Sequence, residues 1–143
     1  MKRPAGEACF GGACDTVGRF EVTFRLEDEL LVGALGLEID YAGVSGAFAQ
    51  DANGERCKLS PGINALVAFN DVTSRHTLIV SIASGGTPFL GPADVFTCQF
   101  QSDGIAPVAE DFEIQVTDAS DRKLEQIVPR PTIVASEIHE ILP

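Results

Sequence analysis

Tryptophan is missing from this chain, tyrosine and methionine occur once each, and histidine occurs twice. A flat polysaccharide-binding platform needs exposed aromatic rings, and the nine phenylalanines are the only plentiful source. Phe20, Phe24, Phe96, Phe100 and Phe112 fall in phase with buried positions. Phe10, Phe48 and Phe89 lie in loops or short segments where exposure is expected, which is too few for a planar platform. A single sugar chain held by polar groups stays open.

Basic residues are also scarce. Ten Lys and Arg stand against 21 Asp and Glu, for a net charge of −11. Their densest pairs are Lys2-Arg3 and Arg122-Lys123, so no basic patch exists to hold a phosphate backbone or an anionic membrane surface. No apolar run approaches the roughly 18–20 residues that span a bilayer, and residues 1–16 lack the apolar core of a signal peptide. Helix signals are nearly absent; only residues 120–127 have the makings of a turn or two.

Catalytic motifs are missing as well. A hydrolytic site needs carboxylates paired in a cleft, or a nucleophile beside a general base. Glu27, Asp28, Glu29, Glu110 and Asp111 sit in turns, where solvated charge is the plainer reading. Neither His76 nor His139 neighbours a nucleophile motif, so no enzyme is expected. Four cysteines with two distant histidines do not form a zinc pattern.

What remains is strand signal. In residues 19–26, Phe20, Val22, Phe24 and Leu26 alternate with Arg19, Glu21, Thr23 and Arg25, the period of a strand with one buried face. Residues 32–41 place Leu35, Leu37, Ile39 and Tyr41 on one side. Further strands are expected at 47–49, 56–59, 63–70, 76–83, 94–101, 111–117 and 132–138. A hairpin turn is expected at Asn53-Gly54, and a polar loop at 71–75. About nine strands at these spacings predict an all-β sandwich. Residues 1–16 read as an irregular lead-in, and 17–143 as a single domain, which 143 residues at 45% apolar content can fill.

Cys98 shares the face of Phe96 and Phe100, and Cys57 alternates with Leu59, so both thiols point inward from strands. A Cys57–Cys98 bridge follows, with Cys9–Cys14 pinning the lead-in. The alternative is two buried and two exposed free thiols. Disulfides place the chain in an oxidising compartment: extracellular, cell-surface or periplasmic.

Asp51, Asn53 and Glu55 alternate as oxygen donors around Gly54, as at the start of a calcium loop, but the rest of such a loop is missing and a hairpin explains the same residues. Asp118 to Asp121 is a similar case. No cofactor is expected beyond such a structural calcium.

The segments FEVTFRL, VGALGLEIDY, TLIVSIASGG, GPADVFTCQFQSDG, DFEIQVTDASDRKLEQI and PTIVAS, in this order over residues 17–138, resemble cohesin-like domains. These are jelly-roll β-sandwiches related to carbohydrate-binding modules. The resemblance implies a non-catalytic module that docks another extracellular protein, or a polysaccharide, through one sheet face. Where cohesins carry Asn and Asp on the outward positions of the strand matching 32–41, this chain has Ala34 and Gly36, a departure that argues against a dockerin partner. The Cys57/Cys98 pair is likewise not a general feature of that family.

If the strands pair as in cohesins, Ala34, Gly36, Glu38, Asp40, Leu66, Ala68, Ile79 and Ser81 share one sheet face with a flat apolar part. Such patches mark interfaces, unless residues 1–16 or 139–143 cover this one. The expected function is adhesion or assembly. A polysaccharide-binding module and a self-assembling structural subunit, hence a homo-oligomer, are the alternatives.

Overall fold

The computed structural model describes residues 17–50, 53–84, 87–103 and 105–141. The described residues form an all-β, sandwich-like fold of eleven strands and two short 3-10 turns. The strands are β1 (Val17–Leu26), β2 (Leu31–Val32), β3 (Ala34–Asp40), β4 (Gly46–Phe48), β5 (Cys57–Leu59) and β6 (Leu66–Val72). They continue with β7 (Thr77–Ala83), β8 (Phe89–Leu90), β9 (Ala93–Asp103), β10 (Glu113–Ser120) and β11 (Ile133–Ile141).

One sheet runs β11-β1-β9-β4, with β5 also paired to β9; the second runs β10-β3-β7-β6; β2 and β8 form a small two-stranded ladder. All pairings are antiparallel. Alternation explains which side of each sheet is dry. In β1, Val22, Phe24 and Leu26 are fully buried, and in β3 so are Leu37 and Ile39. These inner faces meet in one core. Phe24 stacks on Phe96 within the first sheet (ring centroids 4.9 Å), and Phe69 of β6 reaches across to Phe96 at 5.6 Å. Each such side chain taken fully out of water contributes about 1.5–3 kcal/mol.

The long strands lie where alternation places them, with ends shifted by up to three residues. The expected 32–41 strand is instead two, broken at Gly33. There the amide donates to the Ser120 carbonyl (2.8 Å) and the carbonyl accepts from the Ser84 amide (2.8 Å), so the backbone is diverted into cross-chain bonds. The polar loop expected at 71–75 is shorter, because β6 runs to Val72 and a 3-10 turn spans Thr73–Arg75. Phe89–Leu90 pairs with Leu31–Val32, where no strand is expected between 83 and 94. Residues 121–125 form a tight turn: Asp121 Oδ1 accepts the amides of Lys123 (2.8 Å) and Glu125 (3.0 Å). That occupies one carboxylate oxygen of the weighed Asp118–Asp121 calcium pair.

Two expectations about aromatics fail. Phe48 and Phe89 are buried, not exposed. Phe48 packs edge-on against Tyr41 (5.0 Å) and Phe100 (5.2 Å). Asp28 is not merely a solvated turn acid, since its Oδ2 accepts the Thr132 amide at 2.5 Å and ties the β1–β2 turn to the approach of β11.

Candidate functional site

The disulfide Cys57–Cys98 is present, joining directly paired residues of β5 and β9 with Cα atoms 4.0 Å apart. Cys98 is fully buried and Cys57 nearly so. The bridge closes a sequence separation of 41 residues. Cys9 and Cys14, Phe10, and Asp51 of the weighed calcium loop lie outside the described residues. Gly54 has φ of +83°, the left-handed geometry of a turn, but the hairpin expected there does not form: β4 and β5 on either side of it both pair with β9, at 100–102 and 96–98, and not with each other.

The outer face of the β10-β3-β7-β6 sheet is built by register. Gly36 lies beside Ser81 and Asp118, and Ser81 beside Ala68. One row along, Glu38 lies between Gln115 and Ile79, with Asn70 next. Beyond it Asp40 lies between Glu113 and Thr77, and at the other end Ala34 pairs with Ala83, which pairs with Leu66. All eight residues expected on this face are therefore together on it.

The face has two unlike ends. Ala34, Gly36, Leu66, Ala68, Ser81 and Ala83 line a groove of about 460 Å³ floored by small side chains and backbone, with Thr117 and Asp118 on its wall. Leu66 stands at its rim, 81% exposed. Leu66, Ala68 and Ser81 are all exposed. At the opposite end Glu38, Asp40 and Glu113 surround a hollow of about 600 Å³, with Arg75 the one cation on its wall. Arg75 is 4.0 Å from Glu38, and Asp40 Oδ1 also accepts the Ala42 amide at 2.9 Å.

A buried polar cluster flanks the same sheet. The Tyr41 hydroxyl donates to Asp71 Oδ1 at 2.6 Å, and Asp71 has a side chain only 1% exposed. Arg56 Nε lies 4.0 Å from Asp71 Oδ2, and neither of these two atoms has a hydrogen-bond partner among the described residues. Burial foremost, then the hydrogen bond and the negative charge of Asp71, push the Tyr41 hydroxyl well above its usual range. A signal for this cluster exists: Asp71 is in phase with Val67 and Phe69, so β6 turns it inward, and a buried Tyr needs a partner for its hydroxyl.

The outward side of β1 and β9 is a ladder of polar pairs. Arg19 Nη1 donates to Gln99 Oε1 (2.9 Å), Thr23 meets Thr97 (3.3 Å), and Arg25 pairs with Asp94 (3.3 Å). These three pairs cross between β1 and β9. Among the described residues, no cluster of three or more His, Cys, Asp or Glu side chains is arranged to hold a metal ion, and no helix is long and apolar enough to cross a membrane. No known protein family, characterised protein or solved structure matches the chain.

Proposed function

We propose that this chain is a non-catalytic docking module, a cohesin-like jelly roll working in an oxidising, extracellular setting, that binds another protein on the outer face of β10-β3-β7-β6. The observation that carries the reading is that this face holds a groove of mainly small side chains, with Asp118 on its wall, next to an acidic hollow. The partner is a basic protein that offers a small apolar side chain to the groove at Gly36 and Ser81, and Lys or Arg to Glu38, Asp40 and Glu113. Four residues of strand separate Gly36 from Asp40, so the two contacts lie about 13 Å apart at the usual rise per residue. Complementary charge of this kind speeds encounter and fixes orientation. The disulfide supports the extracellular setting, and burial of Phe48 and Phe89 weakens the polysaccharide alternative.

Pull-down from the secreted fraction of the source organism, repeated with variants, tests this. Ser81→Arg fills the groove and Glu38→Lys reverses the hollow; each is expected to lose the basic protein that wild type retains, while Glu29→Lys in the β1–β2 turn retains it. Equal retention by all four proteins would sink the proposal.

A further inference from the structure

The strands at the edges of these sheets are not alike. A free edge offers unpaired backbone N–H and C=O groups to any other strand, and proteins blunt such edges with charge, proline, bulges or brevity. β10 carries Glu113 and Asp118 and has a register shift between Val116 and Asp118. β11 carries Glu137 and Glu140, and its pairing with β1 shifts between Thr23 and Phe24. β4 and β5 are three residues each, and β2 and β8 two.

β6 has no outward charge, proline, bulge or shortness to protect it, and its single inward charge is the one device of this kind that it carries. It runs seven residues, Leu-Val-Ala-Phe-Asn-Asp-Val, in unbroken register with β7 from Leu66↔Ala83 to Val72↔Thr77. Its one charge, Asp71, is turned inward onto Tyr41. Among the described residues β7 is the only strand bonded to it.

We infer that the β6 edge pairs with β6 of a second copy of this chain, antiparallel about a two-fold axis at Phe69. The sequence of β6 is complementary to itself under that operation: Leu66 meets the partner's Val72, and Ala68 meets the partner's Asn70, with no charge facing charge on the outer side. A foreign strand would need no such self-match. The two four-stranded sheets become one continuous sheet, with both outer faces on the same side and their grooves adjacent. The inference goes beyond the docking of a basic protein, which uses the face and not the edge. A seven-residue ladder is smaller than the roughly 1,600 Å² of a standard interface, and two chains of charge −11 repel, so the dimer is weak and strengthens as salt screens that repulsion.

Sedimentation velocity over a concentration series, at low and high sodium chloride, tests it. Wild type is expected to form a reversible dimer that tightens with salt. Ala68→Lys and Asn70→Lys, exposed positions that the fold tolerates, are expected to be monomers over the same range, while Glu113→Lys on β10 remains dimeric. Circular dichroism and the emission of Tyr41 report whether each variant is folded. A monomer at every concentration and salt, or a dimer that survives both lysine variants, would overturn the inference. Glu38→Lys is expected to lose the basic protein and stay dimeric, so failure of the docking reading and failure of the dimer are read separately.

Discussion

Tyr41 is the one residue whose environment can be followed without a label, because the chain has no other tyrosine and no tryptophan. Its inward position was legible from the alternation of Leu35, Leu37 and Ile39. Its partner was not, because Asp71 reads as the first residue of a polar loop at 71–75, whereas β6 continues through it to Val72. Tyr41→Phe leaves Asp71 buried without its hydroxyl donor, which should cost about 1–3 kcal/mol, measurable as a lower midpoint of urea unfolding followed by circular dichroism. The raised hydroxyl also sets a pH dependence. The folded state holds this proton more tightly than the unfolded state, whose hydroxyl titrates near 10.0. The resulting stability is fully present below about pH 10 and is lost as the pH rises above it. Tyrosinate absorbance should therefore appear only together with alkaline unfolding. Ionisation at its ordinary pH in a still folded protein would contradict this.

Short elements were the least legible, for reasons visible in β4 and β8. Two or three residues show no countable alternation, so Phe48 and Phe89 could not be assigned to the core from sequence. β4 is held by Gly46 at φ +151°, where an added Cβ would strike the Gln101 carbonyl and the Phe100 ring. Gly46→Ala is expected to cost about 1–3 kcal/mol by overpacking. β5 is short too and is fixed covalently. The inward phase of Cys57 and Cys98 predicted their bridge, and its closure of a long loop is worth about 4 kcal/mol in the chain-entropy model. Replacing both by Ala should lower unfolding free energy by about that amount. A change below about 1 kcal/mol would mean that the unfolded chain is already compact around these residues.

At the scale of the whole molecule, one sheet is dressed on its outer side with polar pairs while the other presents a groove, an acidic hollow and a thinly protected edge. The long strands, and which of their residues point outward, are readable from period-2 patterning; nine strands are expected and eleven found, because 32–41 is split at Gly33 and the two-residue β8 shows no period. The order of strands, which brings Leu66 next to Ala83 and Glu113 next to Asp40, follows from long-range pairing that no local pattern encodes. Substitutions on the exposed groove, such as Ser81→Arg, should leave stability within about 0.5 kcal/mol of wild type while abolishing partner capture, which separates recognition from folding. Acids on both sheets make the site directly observable. Carboxyl-directed covalent footprinting of the protein with its captured partner is the most direct measurement. The account predicts protection of Glu38, Glu113 and Asp118 with Asp94, Glu137 and Glu140 still labelled; protection of the second group alone would contradict it.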